Sequence, residues 1–208
     1  EDRRAFIDEA AARRDLTPII IEKDFWVCWT LRRLVMCPDL AGHMTFKGGT
    51  SLSKAYGIIA RFSEDIDLTI SRAAPLLSEV ASPMDSDITG KERERRTKAL
   101  KAAAQAYVAT VAMPILAREI EVALGTAEGW SLALDPDDKD QQTLLFVYPR
   151  TSGYGLAYGE NYGGADESGY IKPRIKLEFG ARGDTEPFAL RPILPYLAED
   201  FPEELADP

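Results

Sequence analysis

Residues 44–70 read MTFKGGTSLSKAYGIIARFSEDIDLTI and predict a strand, a glycine turn, a helix and a second strand. We expect the strands at 44–47 and 66–70 and the helix at 50–59. Gly48 and Gly49 stand where the first strand passes into the helix, and glycines at such a turn let a ligand approach the backbone closely. The free N–H groups at the start of the helix favour an anion such as a triphosphate. Because no Gly-Lys-Ser or Gly-Lys-Thr ends the turn, it is not a P-loop.

Two carboxylates, Asp65 and Asp67, enter the second strand one residue apart. On a strand this spacing puts both side chains on the same face. Two carboxylates so close repel each other unless a cation lies between them, and hard oxygen ligands suit Mg²⁺ or Mn²⁺. A solvated strand edge is the commoner explanation of an isolated Asp-x-Asp pair. The glycine turn upstream shifts the balance toward a metal site.

A later strand, RIKLEF at residues 174–179, has the same two-sided pattern. Lys176 and Glu178 share one face with Arg174, and the alternating apolar residues share the other. One interpretation makes Glu178 a third carboxylate near the metal and Lys176 a cation that neutralises phosphate charge. The other is a cross-strand ion pair, which contributes little at a surface. The sequence favours neither.

The whole chain predicts an α+β protein with one mixed sheet flanked by helices. We expect a single domain over residues 1–208, with an N-terminal helical part at about 1–40. The remaining helices are expected at 2–14, 18–36 and 91–124, and Pro114 should kink or divide the last of them. The other expected elements are a loop at 73–90, a hairpin of 130–134 and 142–148, an irregular glycine-rich segment at 151–169, a strand at 170–179 and an extended piece at 188–198.

The 208 residues include 34 acidic side chains against 25 lysines and arginines, a net charge of −9. Such a charge argues against a protein that coats DNA nonspecifically. Residues 135–140 and 199–208 hold −8 of this surplus, whereas residues 91–101 carry six bases and two acids. That basic run either contacts an RNA backbone or, as we favour, forms an exposed helix with Glu–Arg pairs. Tyr154, Tyr158 and Tyr162 either stack bases or, more commonly for such a segment, occupy an irregular loop.

The two cysteines, Cys28 and Cys37, are nine residues apart in sequence. If both lie on one helix, they are about 13 Å apart along its axis. This exceeds the roughly 7 Å between Cα atoms that a disulfide allows. Unpaired thiols indicate a reducing compartment. We find neither a run of about 18 apolar residues nor a secretory signal, so we expect a cytoplasmic protein without a membrane partner.

The segments KGGTSLSK at 47–54 and RFSEDIDL at 61–68 resemble the AbiEii/AbiGii-type nucleotidyltransferase toxins of abortive-infection and toxin–antitoxin systems. EKDFW at 22–26 and IKLE at 175–178 resemble further motifs of that family, and the likeness spans about residues 15–200. The resemblance implies the polymerase-beta-like nucleotidyltransferase fold. The gap between Gly49 and Asp65 is slightly longer than in many members. The family's C-terminal helices, with a further acidic motif, are expected to be missing, and Asp200 is not assigned to that motif.

The resemblance also implies site residues and a reaction. It makes Asp65, Asp67 and Lys176 catalytic, and Asp65 and Asp67 ligands of Mg²⁺ or Mn²⁺. The pattern of the later strand adds Glu178 as the third metal ligand. The nucleotide-binding residues it implies are Gly48, Gly49, Thr50, Ser51 and Ser63.

The implied activity is transfer of a nucleoside monophosphate from an NTP to RNA, at the 3′ end of a tRNA. A cognate antitoxin is the implied protein partner, and the role is that of a phage-defence toxin. A phosphotransferase on the same scaffold and a non-catalytic nucleotide-binding module remain as alternatives. The Asp65/Asp67 pair argues against the module. The charged run Glu22-Lys23-Asp24 either shapes the nucleotide pocket or has a cap-and-surface role.

Overall fold

The computed structural model describes residues 2–58, 65–151, 172–183 and 189–205. Ser63 and the three tyrosines Tyr154, Tyr158 and Tyr162 lie outside these residues. The described helices are α1 (Asp2–Arg14), α2 (Pro18–Met36), α3 (Pro38–Ala41), α4 (Gly48–Lys54), α5 (Gly90–Tyr107), α6 (Met113–Leu124) and α7 (Tyr196–Asp200), with a π-helical segment, Val108–Ala112, between α5 and α6. The described strands are β1 (Met44–Lys47), β2 (Asp65–Ile70), β3 (Ser131–Leu134), β4 (Thr143–Val147) and β5 (Arg174–Gly180).

The helix ends follow from local sequence. Helix α2 begins at Pro18, because the fixed φ of proline suits the first helical position, where no N–H is needed. Thr89 caps α5, and its side chain accepts a hydrogen bond from the Glu92 N–H at 3.2 Å. Helix α6 ends at Gly125 in the left-handed region, with φ of 67°. The helices predicted at 2–14 and 18–36 are confirmed.

The five strands form one mixed sheet in the order β1-β2-β5-β4-β3. Strands β2 and β5 are parallel, and the other neighbouring pairs are antiparallel. The predicted hairpin is the β3–β4 pair. The predicted α+β class, a mixed sheet flanked by helices, is therefore confirmed.

Alternation along the strands gives the sheet two different faces. The apolar face packs in one core with α2 and α6, and its members include Ile66, Leu68, Leu144, Phe146, Ile175 and Leu177. We call the opposite side the polar face; it carries Lys47, Asp65, Asp67, Thr69, Thr143, Lys176 and Glu178. The helices thus cover one side of the sheet, and the polar residues gather on the other.

A second, smaller core joins the N-terminal helices to α7. Ile7 of α1 and Ile21 of α2 pack with Leu197 and Phe201. At its edge the Arg14 guanidinium donates to the Asp200 carboxylate at 2.6 Å. Asp200, which the sequence left unassigned, is therefore an ion-pair partner of α1.

Three sequence predictions need correction. The helix predicted at 50–59 is α4, which begins at Gly48 and ends at Lys54; Gly57, with φ of 61°, follows it in a conformation that α-helices do not contain. The piece at 188–198 is not extended throughout, since α7 begins at Tyr196. Pro114 does not divide the helix. The helix instead widens into the π segment just before the proline, which cannot donate to the preceding turn.

Within the part of the chain that the structure describes, one helical stretch, Gly90–Leu124, is long and apolar enough to cross a membrane by length and composition. The sequence analysis did not anticipate it. A third of its most apolar window is buried in the protein, and core helices of soluble proteins pass the same test. Both cysteines are free, as predicted, and both are buried.

Candidate active site

The register of three strands brings the predicted site residues together on the polar face. Lys47 of β1 is the pairing partner of Asp67 of β2, and Asp67 is in turn the partner of Glu178 of β5. One step along the strands, Asp65 is the partner of Lys176. The three strands therefore gather acidic and basic side chains on one face, with Asp67 and Glu178 as neighbouring carboxylates.

Gly48 is required by the position of Asp67. Its φ of 76° lies in the left-handed region that favours glycine. A Cβ atom at this position would lie 1.8 Å from Oδ2 of Asp67, well inside van der Waals contact. The sequence alone predicts that the glycine turn lets a ligand approach the backbone closely. In the structure, the close approach at Gly48 is made by the Asp67 carboxylate itself.

The electrostatics of Asp67 are set by its neighbours. Partial burial raises the pKa of Asp67, and the nearby Glu178 carboxylate raises it further. Lys47 and Lys176 act in the opposite direction, but the net shift in the pKa is upward. Ionised Asp67 is therefore short of positive charge, which a bound cation would supply.

Lys176 and Glu178 form an ion pair along β5, with 2.6 Å between Nζ and Oε1. Both side chains are about two-fifths exposed. This hydrogen bond is the main reason why the pKa of Lys176 is raised, and Asp65 and Asp135 contribute smaller attractions. Lys176 and Glu178 therefore do form an ion pair, but the pair lies within one strand rather than across two strands. A partly exposed pair of this kind remains open to rearrangement around a charged ligand.

The other predicted nucleotide-binding residues lie on α4. Thr50 and Ser51 are buried, and Gly49 is half-buried. The Thr50 hydroxyl donates to the backbone carbonyl of Asp65. Thr50 thereby ties the glycine turn to the first residue of β2, so the turn and the carboxylates form one unit.

The described residues do not form a complete metal site by themselves. Among residues 2–58, 65–151, 172–183 and 189–205, no three His, Cys, Asp or Glu side chains are grouped to hold a metal ion. The neighbouring pair of Asp67 and Glu178 still fits Mg²⁺, because this ion is commonly bound by one or two carboxylates together with substrate phosphates. The predicted three-carboxylate set stays a prediction.

The basic run on α5 is largely paired. Glu92 binds both Arg95 and Arg96, at 2.7 Å each, and Lys98 pairs with Glu94. Lys101, at the end of the run, reaches Asp140 of the β3–β4 loop. The favoured interpretation of an exposed helix with Glu–Arg pairs therefore matches these contacts.

Sequence reasoning missed the role of the charged residues at the start of α2. Glu22, Lys23 and Asp24 are only 1%, 3% and 1% exposed, so a surface role is wrong. Glu22 accepts from the backbone N–H of Thr151 at 2.6 Å, and Lys23 donates to the carbonyl of Lys172 at 3.0 Å. The signal was available: the three charges stand between Ile21 and Trp26, at positions where the helix has no exposed stripe.

Asp24 connects α2 to α4 and α7. One of its oxygens lies 2.5 Å from Nζ of Lys54, and the other accepts from the backbone N–H of Tyr196 at 2.7 Å. Lys54 also lies over the Tyr196 ring, 3.6 Å from its centroid. We call Glu22, Lys23, Asp24 and Lys54 the buried charged cluster. Because Lys54 is the last residue of α4, this cluster fixes the helix that carries the glycine turn.

Comparisons with known proteins agree with this arrangement. The family model described as "Nucleotidyl transferase AbiEii toxin, Type IV TA system" matches residues 29–206, which include the glycine turn, the paired aspartates and β5. The match begins after residues 22–26, so that part of the resemblance stays a prediction. Neither the curated proteins nor the solved structures compared with the chain include a match. On the strength of the family match, the chain belongs to the AbiEii nucleotidyl transferase toxin family of type IV toxin–antitoxin systems.

Proposed function

We propose that the protein transfers a nucleoside monophosphate from an NTP to the 3′ end of an RNA, and that this RNA is a tRNA. One observation carries the proposal: the Asp67 carboxylate lies beside Glu178 and directly against the glycine turn at Gly48. The turn that we propose holds the nucleotide phosphates therefore touches the carboxylate pair that we propose holds a cation. Family membership supports nucleotidyl transfer as the reaction class.

Asp65, Asp67 and Glu178 are the residues that would hold Mg²⁺ or Mn²⁺, with Asp67 and Glu178 as the adjacent pair. When bound, such a cation offsets the charge of the triphosphate and lowers the pKa of an acceptor hydroxyl. Carboxylate oxygens are the ligands that these hard cations prefer.

The chain's own residues have distinct roles in this proposal. Gly48, Gly49 and Ser51 would hold the triphosphate, together with Ser63. Lys176 would neutralise charge that develops on the phosphates as the reaction proceeds. The acceptor oxygen bonds to the α-phosphorus, the α–β phosphoanhydride bond breaks and pyrophosphate leaves. Asp65 or Asp67 would accept the proton of the acceptor hydroxyl.

The cellular setting follows from the same proposal. The type IV toxin–antitoxin family implies a cognate antitoxin, and the toxin's targets would be NTP and tRNA in the cytoplasm. Two buried free thiols agree with a reducing compartment. Defence against phage is the physiological role that we propose.

Transfer to RNA can be measured directly. The protein is incubated with Mg²⁺, total tRNA and each of the four NTPs, labelled in turn at the α- and γ-phosphate. We expect α-label on RNA, a loss of at least about 100-fold with Asp67→Asn, and a comparable loss with Lys176→Met. Asp87→Asn, a change of an exposed aspartate in the 73–90 loop, is the matched control and should retain activity.

The label also separates the alternatives. Transfer of γ-label alone would reject nucleotidyl transfer in favour of a phosphotransferase. No transfer of either label from any nucleotide, with Mg²⁺ or Mn²⁺, would reject the proposed function.

A further inference from the structure

Two of the cavities lined by described residues differ in chemistry. The larger, about 250 Å³, runs along α2, is mainly apolar and contains none of the predicted site residues. The smaller, about 170 Å³, is lined by Lys47, Lys101 and Arg182. Residues 180–183, which follow β5, line it as well. We call this second space the basic cavity.

The basic cavity has a surplus of positive charge. Lys101 is paired with Asp140, the cavity's single carboxylate, at 2.5 Å. Within the described chain, neither Lys47 nor Arg182 has a carboxylate within ion-pair distance. Three cations and one anion leave the cavity at +2, in a protein whose net charge is −9. Cations that outnumber the carboxylates lining a cavity favour an anionic ligand.

The wall of the cavity leaves Lys47 uncovered. A Cβ atom at Gly180 would lie 3.8 Å from Nζ of Lys47, and one at Gly183 would lie 3.6 Å from it. The Gly183 position is also 3.4 Å from the Thr69 hydroxyl, which is buried and has no hydrogen-bond partner among the described residues. Any side chain at Gly183 would therefore stand against both groups. Because Gly180 and Gly183 have no side chains, nothing at these two positions covers the Lys47 ammonium or the Thr69 hydroxyl.

The position of the cavity connects it to the carboxylates. Lys47 is the strand partner of Asp67 and directly precedes Gly48, so it borders both the cavity and the candidate active site. A space of this size is below the roughly 300–1,000 Å³ of pockets that enclose a drug-sized ligand. It therefore suits one phosphate group rather than a whole nucleotide.

From these observations we propose that the basic cavity binds a backbone phosphate of the RNA acceptor, close to the end that reacts. The inference rests on the proposed function, in which the glycine turn takes the triphosphate of the NTP. The cavity extends from Lys47 to Arg182, which is exposed, and to Lys101 on α5. The RNA backbone has further phosphates beyond its reacting end, and these can contact the cations that lie along the basic cavity. The triphosphate of the NTP ends within the candidate active site.

The test measures RNA binding without catalysis. Fluorescein-labelled tRNA, with the label at its 5′ end, is titrated with the protein in EDTA without NTP, over a range of salt concentrations. Lys47→Gln and Arg182→Gln should each weaken binding roughly tenfold and reduce the salt slope by about one. Neither substitution leaves a described carboxylate without its partner, and circular dichroism verifies that both variants fold. Lys98→Gln, on the exposed side of α5 and paired with Glu94, is the control and should bind as the unsubstituted protein does.

The outcomes separate the possible ligands. Unchanged RNA binding in both cavity variants would overturn the inference. A loss of NTP affinity by calorimetry, with RNA binding intact, would overturn it in favour of the triphosphate. RNA binding is measured here without turnover. The test therefore decides whether the basic cavity binds RNA even if the proposed transfer reaction is not observed.

Discussion

The buried charged cluster and the polar face contain the same kinds of side chain in opposite situations. In the cluster, Glu22 and Asp24 each accept a hydrogen bond from a distant backbone N–H, and Asp24 is also paired with Lys54. On the polar face, Asp67 lies beside another carboxylate, Glu178, and both are partly exposed. Burial raises the pKa of Asp24 and of Asp67 alike. The largest opposing effect differs: for Asp24 it is the ion pair with Lys54, whereas Asp67 has only more distant lysines.

The two regions use charge differently. Internal partners satisfy the cluster's charges, which hold α2 against α4 and α7. On the polar face, Asp67 and Glu178 place two carboxylates side by side, which costs stability and favours a bound cation. Substitutions in the two regions should therefore change the free energy of unfolding by different amounts and in opposite directions.

The largest effect on stability is expected from breaking the Asp24–Lys54 pair. Asp24→Asn leaves the Lys54 ammonium, only 8% exposed, without its charged partner. Removing one partner of a buried ion pair costs about 3–5 kcal/mol of unfolding free energy. Urea denaturation followed by circular dichroism measures this cost. Asp87→Asn in the exposed loop is again the matched control, with an expected change within about 0.5 kcal/mol.

A double variant tests the cause. Asp24→Leu combined with Lys54→Met removes both charges, so no uncompensated charge remains in the core. We expect it to be less destabilised than Asp24→Asn, because replacing a buried pair with apolar residues is often close to neutral. Equal losses in the single and double variants would show that the ion pair is not what joins α2 to α4.

The next effect concerns Gly48 and the reaction. Gly48→Ala should lower nucleotidyl transfer about 100-fold or more, because its Cβ must displace the Asp67 carboxylate and small misplacements of reacting groups are costly. Gly57→Ala is a matched control, since Gly57 also has a positive φ but no described atom within 4 Å of its Cβ position. Both variants should lose about 1–2 kcal/mol of stability from the left-handed backbone. Activity is compared at a temperature where both are folded, and equal activity losses would remove the special role of Gly48.

The sequence predicted the polar face well because strand alternation is a local rule. Asp65 and Asp67 had to share a face, and so did Lys176 and Glu178, whichever strands became neighbours. The sequence did not reveal that β2 and β5 are parallel partners, which sets Asp67 opposite Glu178. Pairing across more than 100 residues depends on the packing of the whole sheet rather than on any local pattern.

The buried charged cluster was unpredictable for the same reason. Its partners, Thr151, Lys172 and Tyr196, are between 129 and 172 residues away in sequence from the side chains that bind them. Charged residues at the start of a helix ordinarily indicate a helix cap or an exposed position. Only the flanking buried residues, Ile21 and Trp26, indicated otherwise. The basic cavity likewise combines β1, α5 and the end of β5, so no single segment predicts it.

The smallest expected effect on the free energy of unfolding is an increase rather than a loss. In EDTA at pH 7, Asp67→Asn should raise the free energy of unfolding by roughly 0.5–1 kcal/mol, after allowance for the solvent screening of a half-buried group. The substitution removes a charge that partial burial and, secondly, the neighbouring Glu178 carboxylate both disfavour. The increase corresponds to a rise in Tm of about 1–4 °C for a protein of this size. The same substitution should abolish transfer, as expected where stability is given up for function.

The pH dependence of this gain identifies its origin. Since the pKa of Asp67 is raised by folding, ionising this group costs more in the folded protein than in the unfolded chain. The penalty is absent below the ordinary pKa of aspartate and grows as pH rises through the raised value, so the advantage of Asp67→Asn should shrink as the pH falls toward 4. Adding Mg²⁺ at pH 7 should stabilise the unsubstituted protein but not the variant, because only the former offers the paired carboxylates. A loss of stability in Asp67→Asn would mean that Asp67, like Asp24, is already satisfied from within the protein, and the contrast between the two regions would not hold.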